Sequence, residues 1–143
     1  MSTARTTKGG GCECGAVRFE VTGPMRKVVY CHCGQCRRTS GHFVAATACA
    51  TEHLQFVSQA GLRWYRSSDI AERGFCQTCG SSIFYRPNHG KHISIMAGTL
   101  DTPTGLRGRE HIHVDAASDY YAITDGLPQY AGDHDDLWED NDA

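Results

Sequence analysis

The chain has 143 residues, 40% of them hydrophobic and 21% charged, with a formal net charge of −2 and eight cysteines. That length suits one domain with a real core, and the composition excludes a disordered chain and a disulfide-dense miniprotein. The charge is uneven: GDHDDLWEDNDA, the last twelve residues, holds six of the sixteen acids and no Lys or Arg, leaving a formal +4 on residues 1–131. So scattered a positive balance suits a small anionic ligand and argues against nucleic acid as a partner.

The start, MSTARTTKGGG, lacks the apolar core of a secretion signal, and nowhere is there an 18-residue apolar run. No membrane partner is expected, and a reducing cytoplasm is the expected compartment, where clustered thiols mean metal or chemistry. Residues 1–8 read as a disordered N-terminal tail, 9–131 as the folded domain, and 132–143 as an acidic C-terminal tail.

Taken in order, the predicted elements are short and mostly extended. Cys12 and Cys14 form C-x-C just before GAVRFEVTG, where Val17, Phe19 and Val21 face one way and Arg18 and Glu20 the other. The stretch VVYCHCGQCRRTSGHF follows, with Cys31, Cys33 and Cys36 in C-x-C-x-x-C and a brief helix predicted over 35–40. Next, VAATACATE places Cys49 among small apolar residues, as a buried small hydrophobe, and EHLQFV alternates about Leu54 and Phe56. Trp64 and Tyr65 read as core. Cys76 and Cys79 form C-x-x-C, followed by Gly80 and by SSIFYR. KHISIMAGTL sets Ile93, Ile95 and Ala97 against His92, Ser94 and Met96. REHIHVD sets Ile112 and Val114 against His111 and His113, and a second brief helix is predicted over 116–121. The two histidines read as satisfied core or surface residues, with lining a pocket as the alternative. The fold class is mostly β, in small antiparallel sheets.

Neighbouring cysteines this close are poor disulfide partners, and they are good metal ligands. On a strand, i and i+2 point to one face, so C-x-C offers two sulfurs to one point, and C-x-x-C does so from a turn. Tetrahedral zinc with Zn–S near 2.3 Å places sulfurs about 3.8 Å apart, within reach of both spacings. Cys31, Cys33 and Cys36 are local enough to cap one metal from three corners. Cys12, Cys14, Cys76 and Cys79 then form a two-plus-two site, with Gly80 shaping a metal knuckle. Two zincs per chain are expected: a closed four-cysteine site and a three-cysteine site with one corner for a water or substrate atom. A histidine closing the second site is the alternative. His32 points away from Cys31 and Cys33 on a strand, which leaves His42 as the better candidate. Arg37 and Arg38 serve either to offset the charge of a metal–thiolate cluster or to grip a carboxylate.

Five blocks, GGGCECGAVRFEV, CHCGQCRRTSG, RGFCQTCGSSIFYR, ISIMAGTLD and HIHVD…YAITDGLPQY, span residues 9 to 130. In that order and spacing the chain resembles the family of the glutathione-dependent formaldehyde-activating enzyme, which also includes centromere protein V. The resemblance implies a Mss4-like β domain with a structural zinc on Cys12, Cys14, Cys76 and Cys79. It also implies a catalytic zinc on Cys31, Cys33 and Cys36. The implied activity is that of a carbon–sulfur lyase, joining glutathione and formaldehyde as S-hydroxymethylglutathione. The small-molecule partner is then a thiol or aldehyde, with glutathione as the named default. A non-catalytic zinc-stabilised scaffold, and a redox enzyme using Cys49, are the alternative functions.

Overall fold

The computed structural model describes residues 7–134. Residues 1–6 and 135–143, most of the two predicted tails, lie outside the described residues. Among the described residues, ten strands form two sheets, accompanied by one short α-helix. Strands β1 (Thr7–Gly11), β2 (Val17–Thr22) and β5 (Leu54–Gln59) make a three-stranded antiparallel sheet in the order β1-β2-β5. The larger sheet contains β3 (Val28–Cys31), β4 (Val44–Ala50), β6 (Leu62–Arg66), β7 (Ala71–Cys76), β8 (Ser82–Pro87), β9 (His92–Met96) and β10 (Gly108–Ile112). Its order is β10-β3-β4-β9-β8-β7-β6. Every pairing in it is antiparallel except β10 with β3, so the sheet is mixed rather than purely antiparallel.

Thr7 and Lys8 open β1, two residues earlier than the boundary read from the sequence. The helix α1 (Gly34–Ser40) is where it was predicted and ends at Gly41 with φ 87°, whose N–H donates to the Arg37 carbonyl. No helix forms over 116–121. A 3-10 turn, Val114–Ala116, takes the chain off β10 instead. The alternation expected through Val114 also stops early, at Ile112, because His113 adopts a left-handed conformation (φ 56°) and leaves the strand. Residues 128–132 then lie alongside it: the His111 N–H donates to the Pro128 carbonyl, the Tyr130 N–H to the His111 carbonyl and the His113 N–H to the Gly132 carbonyl.

Strand parity assigns the two faces of the large sheet different tasks. On one face, Thr47, Ile95, Phe84, Gly74 and Trp64 are successive cross-strand partners. This face meets Val17, Phe19 and Val21 of β2, all fully buried, with the Phe19 and Phe84 rings 5.2 Å apart. Cys49 lies in the same core, as expected of a small hydrophobe. Trp64 stacks on Phe84, and the Arg86 guanidinium lies over its ring, 3.7 Å from the ring centre. Gly74 makes that stacking feasible, since a Cβ there would sit 3.0 Å from the indole. Tyr65, expected in the core, is 43% exposed, because it is the next residue on the strand and faces the other way.

Candidate metal centres and the cavity beside one of them

Two cysteine groups assemble, as the four-plus-three division of the sequence expects. Cys12 and Cys14 come from the turn between β1 and β2, Cys76 closes β7 and Cys79 lies in the turn between β7 and β8, so the first group joins the two sheets. The Cys14 sulfur lies 3.7 Å from that of Cys12 and 3.8 Å from that of Cys76. Both turns use a positive-φ glycine, Gly15 (φ 89°) and Gly80 (φ 81°), and the Gly80 N–H donates to the Cys76 carbonyl at 2.8 Å. Backbone and side-chain donors face the sulfurs. The Val17 N–H reaches Cys12 Sγ at 3.2 Å, and the Ser81 hydroxyl and N–H pull the Cys79 thiol down to about 5. Gly61 is packed against this group so closely that a Cβ there would stand 2.7 Å from Cys76 Sγ.

The second group is built from one strand end and one helix start. Cys31 closes β3, Cys33 is the N-cap of α1 and accepts the Cys36 N–H at 3.3 Å, and Cys36 lies in the first turn. Within each group, all the sulfurs lie within 4.8 Å of one another. An all-thiolate set at this separation fits a tetrahedral soft or borderline ion such as zinc. Among the described residues, no histidine or carboxylate joins the three thiols. His42 is turned elsewhere: it is half-buried, and its Nδ1 lies 3.0 Å from the Tyr120 hydroxyl.

His32 is carried to the opposite face by strand parity, as expected from its place between Cys31 and Cys33. It is 3% exposed, and its Nε2 meets His111 Nδ1 at 2.8 Å, while His111 Nε2 meets Asp125 Oδ2 at 2.8 Å. Burial first, then the neighbouring His111, holds His32 below its ordinary pKa. His111 thus is a satisfied core histidine, stacked on Tyr30 at 4.8 Å. His113, freed from the strand, lines the cavity described next.

Cys31, Cys33 and Cys36 open on a cavity of about 490 Å³, and no cysteine of the four-thiol group touches it. The cavity is the second face of the large sheet. Three cross-strand rows line it: Ile112–Cys31–Val44, Val29–Ala46–Met96 and Arg73–Tyr85–Ser94. Arg37 and Arg38 do not line it. Arg38 is exposed, and Arg37 donates from Nε to the Ala116 carbonyl at 3.1 Å. Arg73 stands there instead, 4% exposed, with Nη2 at 2.9 Å from Gln35 Oε1 and 3.6 Å from Cys36 Sγ. A hydrogen bond from the Cys31 thiol, followed by Arg73, brings Cys36 down to about 5, and the same thiol contact pushes Cys31 up. Arg73 belongs to no cysteine motif; its one signal in the sequence is its place two residues after Ala71 in the alternating run AERGFC. Cys49 is remote from this chemistry, and burial pushes its thiol up to about 12, which suits packing and not nucleophilic or redox work.

A two-sheet β domain of the Mss4-like class, with one thiol group joining its sheets and another facing a cavity, is what fold and site define. The model of the family "Glutathione-dependent formaldehyde-activating enzyme" matches residues 7–116. The chain belongs to that family. It is 29% identical over 107 residues to an uncharacterised lyase of Schizosaccharomyces pombe, covering 75% of this chain and 74% of that protein. It also resembles the crystal structure of a Rhodobacter sphaeroides protein, with a TM-score of 0.56 and 26% identity over 68% of this chain and 91% of the other. No helix among the described residues is long and apolar enough to cross a membrane.

Proposed function

We propose that the chain is a zinc-dependent carbon–sulfur lyase acting on thiol–aldehyde adducts, with glutathione and formaldehyde as the default pair and S-hydroxymethylglutathione as their adduct. One observation carries the reading: of the two thiol groups, only Cys31, Cys33 and Cys36 face the cavity. The family and the lyase name of the yeast relative support the reaction class.

On this reading Cys12, Cys14, Cys76 and Cys79 hold a structural zinc, and Cys31, Cys33 and Cys36 hold the zinc that serves catalysis. Bound by three thiolates, zinc supplies a soft partner for a substrate sulfur and modest Lewis acidity toward a carbonyl oxygen. The chain's own residues do the rest. Val29, Val44, Ala46, Met96 and Ile112 offer the reactants an apolar surface, and Arg73 offsets the negative charge of the thiolates beside it. In the forward direction the substrate thiol gives up its proton and the sulfur's electron pair forms the C–S bond. The carbonyl π pair moves to oxygen, which takes up a proton to become the hydroxyl of the adduct; the lyase direction reverses each step. Eight free cysteines suit a reducing compartment, and we place the protein in the cytoplasm on that ground.

The test is exchange spectroscopy on glutathione and 13C-formaldehyde with protein shown to hold both metals. An adduct exchange rate above the solution rate, lost in Cys36→Ser, is the expected result. An unchanged rate with every thiol and aldehyde tried would sink the lyase reading.

A further inference from the structure

Arg73 brings a positive charge to the cavity that its neighbours use only in part. Its Nη2 is occupied by Gln35 Oε1 and Cys36 Sγ. Its Nε is buried without any acceptor, and among the described residues no carboxylate pairs with the guanidinium. Offsetting thiolate charge accounts for Nη2, but it leaves Nε unexplained. A buried donor without an acceptor is costly, and a buried cation calls for a partner.

The group is also held still. Gln35 is itself fixed through Nε2 to the Ser67 carbonyl at 2.8 Å, and the Tyr85 ring faces the guanidinium at 5.1 Å. Arg26, the second arginine of the cavity, differs, because its Nη2 and Nε donate to the backbone carbonyls of Ala46 and Lys27. Asp133 lines the same cavity, with Oδ1 accepting the His134 N–H; its negative charge disfavours a second carboxylate on the ligand.

We infer that Arg73 is the anion-recognising residue of this cavity and that the substrate carries a single carboxylate close to its reacting atom. The spacer is short because the guanidinium stands 3.6 Å from a sulfur of the three-thiol group. A carboxylate on Arg73 therefore lies within a few bonds of any sulfur or carbonyl that engages that group. Val29, Ala46 and Met96 cover the spacer with apolar surface. The inference rests on the thiol–aldehyde reading but replaces its default pair, since glutathione carries two carboxylates remote from its thiol and formaldehyde none. It points to short mercaptocarboxylates or short 2-oxo carboxylates, two sources of the same carboxylate chemistry.

The experiment uses two readouts on the full chain. Cobalt-substituted protein is titrated with mercaptoacetate and with 2-mercaptoethanol, following the sulfur-to-cobalt charge-transfer band. The zinc protein is titrated with the same thiols, and with glyoxylate and acetaldehyde, following the Arg73 Nε–H resonance, which is identified by its absence in Arg73→Lys. Mercaptoacetate is expected to bind about tenfold more tightly than 2-mercaptoethanol, since a charge-assisted hydrogen bond is added. Arg73→Gln should bring the two thiols to parity with metal content unchanged. The Nε–H resonance should shift with the carboxylate-bearing member of a pair and not with its neutral counterpart. A response to mercaptoacetate alone places the carboxylate on the thiol, and a response to glyoxylate alone places it on the aldehyde. Equal affinities with an unmoved resonance overturn the inference, and the wild-type comparison decides this even where a variant misfolds. A moving resonance without a thiol band at any concentration upholds the carboxylate site and overturns the thiol-binding reading instead.

Discussion

His32 and His111 stand 79 positions apart in the chain, and their ring nitrogens meet at 2.8 Å inside the protein. The contact closes a line from Asp125 through His111 to His32 on the face of β3 and β10 opposite the cavity. It keeps the residue between Cys31 and Cys33 occupied, so that the three sulfurs alone present themselves to the cavity. Replacing His111 by Ala leaves a buried His32 nitrogen without its partner and opens a hole against Tyr30. The expected cost is about 2–4 kcal/mol, from the unsatisfied group and the lost packing together. Urea denaturation of the zinc-loaded variant measures it, and an unchanged midpoint would refute a structural role for the line.

Asp125 adds a pH signature to the same line. Its pKa is lowered by the hydrogen bond to His111 first and by the Leu127 N–H second. A carboxyl whose native pKa is depressed contributes stability that is fully present above its unfolded value. That contribution is lost as pH falls through the native value. The gap in urea midpoint between wild type and Asp125→Asn should therefore be widest above about pH 5 and close as the pH falls below about 4. A gap that stays constant across that window contradicts the assignment.

The two cysteine groups should separate under mutation. Cys76 is fully buried in the core that joins both sheets, so Cys76→Ser should yield insoluble or unfolded protein. Cys36 sits on a seven-residue helix at the edge of a small cluster, and Cys36→Ser should leave a folded chain. Elemental analysis should approach two zincs in the wild type and one in Cys36→Ser. If both variants unfold alike, the three-thiol site is structural as well.

Gly61 offers a finer test of the four-thiol site. A methyl group there meets Cys76 Sγ at 2.7 Å and the Ala16 Cβ at 2.9 Å. Gly61→Ala should cost about 1–3 kcal/mol through overpacking. It should also speed zinc loss to a chelator from one site while the other keeps its rate. Chelator kinetics monitored by a metallochromic dye read both rates, and two unaltered rates would show that the turn absorbs the methyl group.

Much of the local structure was legible from residue spacing. Val17, Phe19 and Val21 alternate toward the core, and C-x-C and C-x-x-C place sulfurs within bonding range of one ion, because both are consequences of backbone geometry over a few residues. At the end of β10 a segment from later in the chain overrides the local pattern. The alternation of REHIHVD breaks at His113 because residues 128–132 bond to this stretch from the side. The helix expected over 116–121 gives way to a 3-10 turn and open chain.

The amino-acid sequence by itself determined the strand content, the division of seven thiols into four and three, and the family. Each is written in patterns of two to five neighbouring residues or in the order of such blocks. Only the tertiary structure decided which face each cysteine group serves. The parity of β3, β4, β7, β8 and β9 becomes a surface only when their register is set, and register depends on residues many positions away. That is why Arg73, ordinary in its own strand, comes to stand beside Cys36, while Arg37 and Arg38, which follow Cys36 directly in the chain, do not line the cavity.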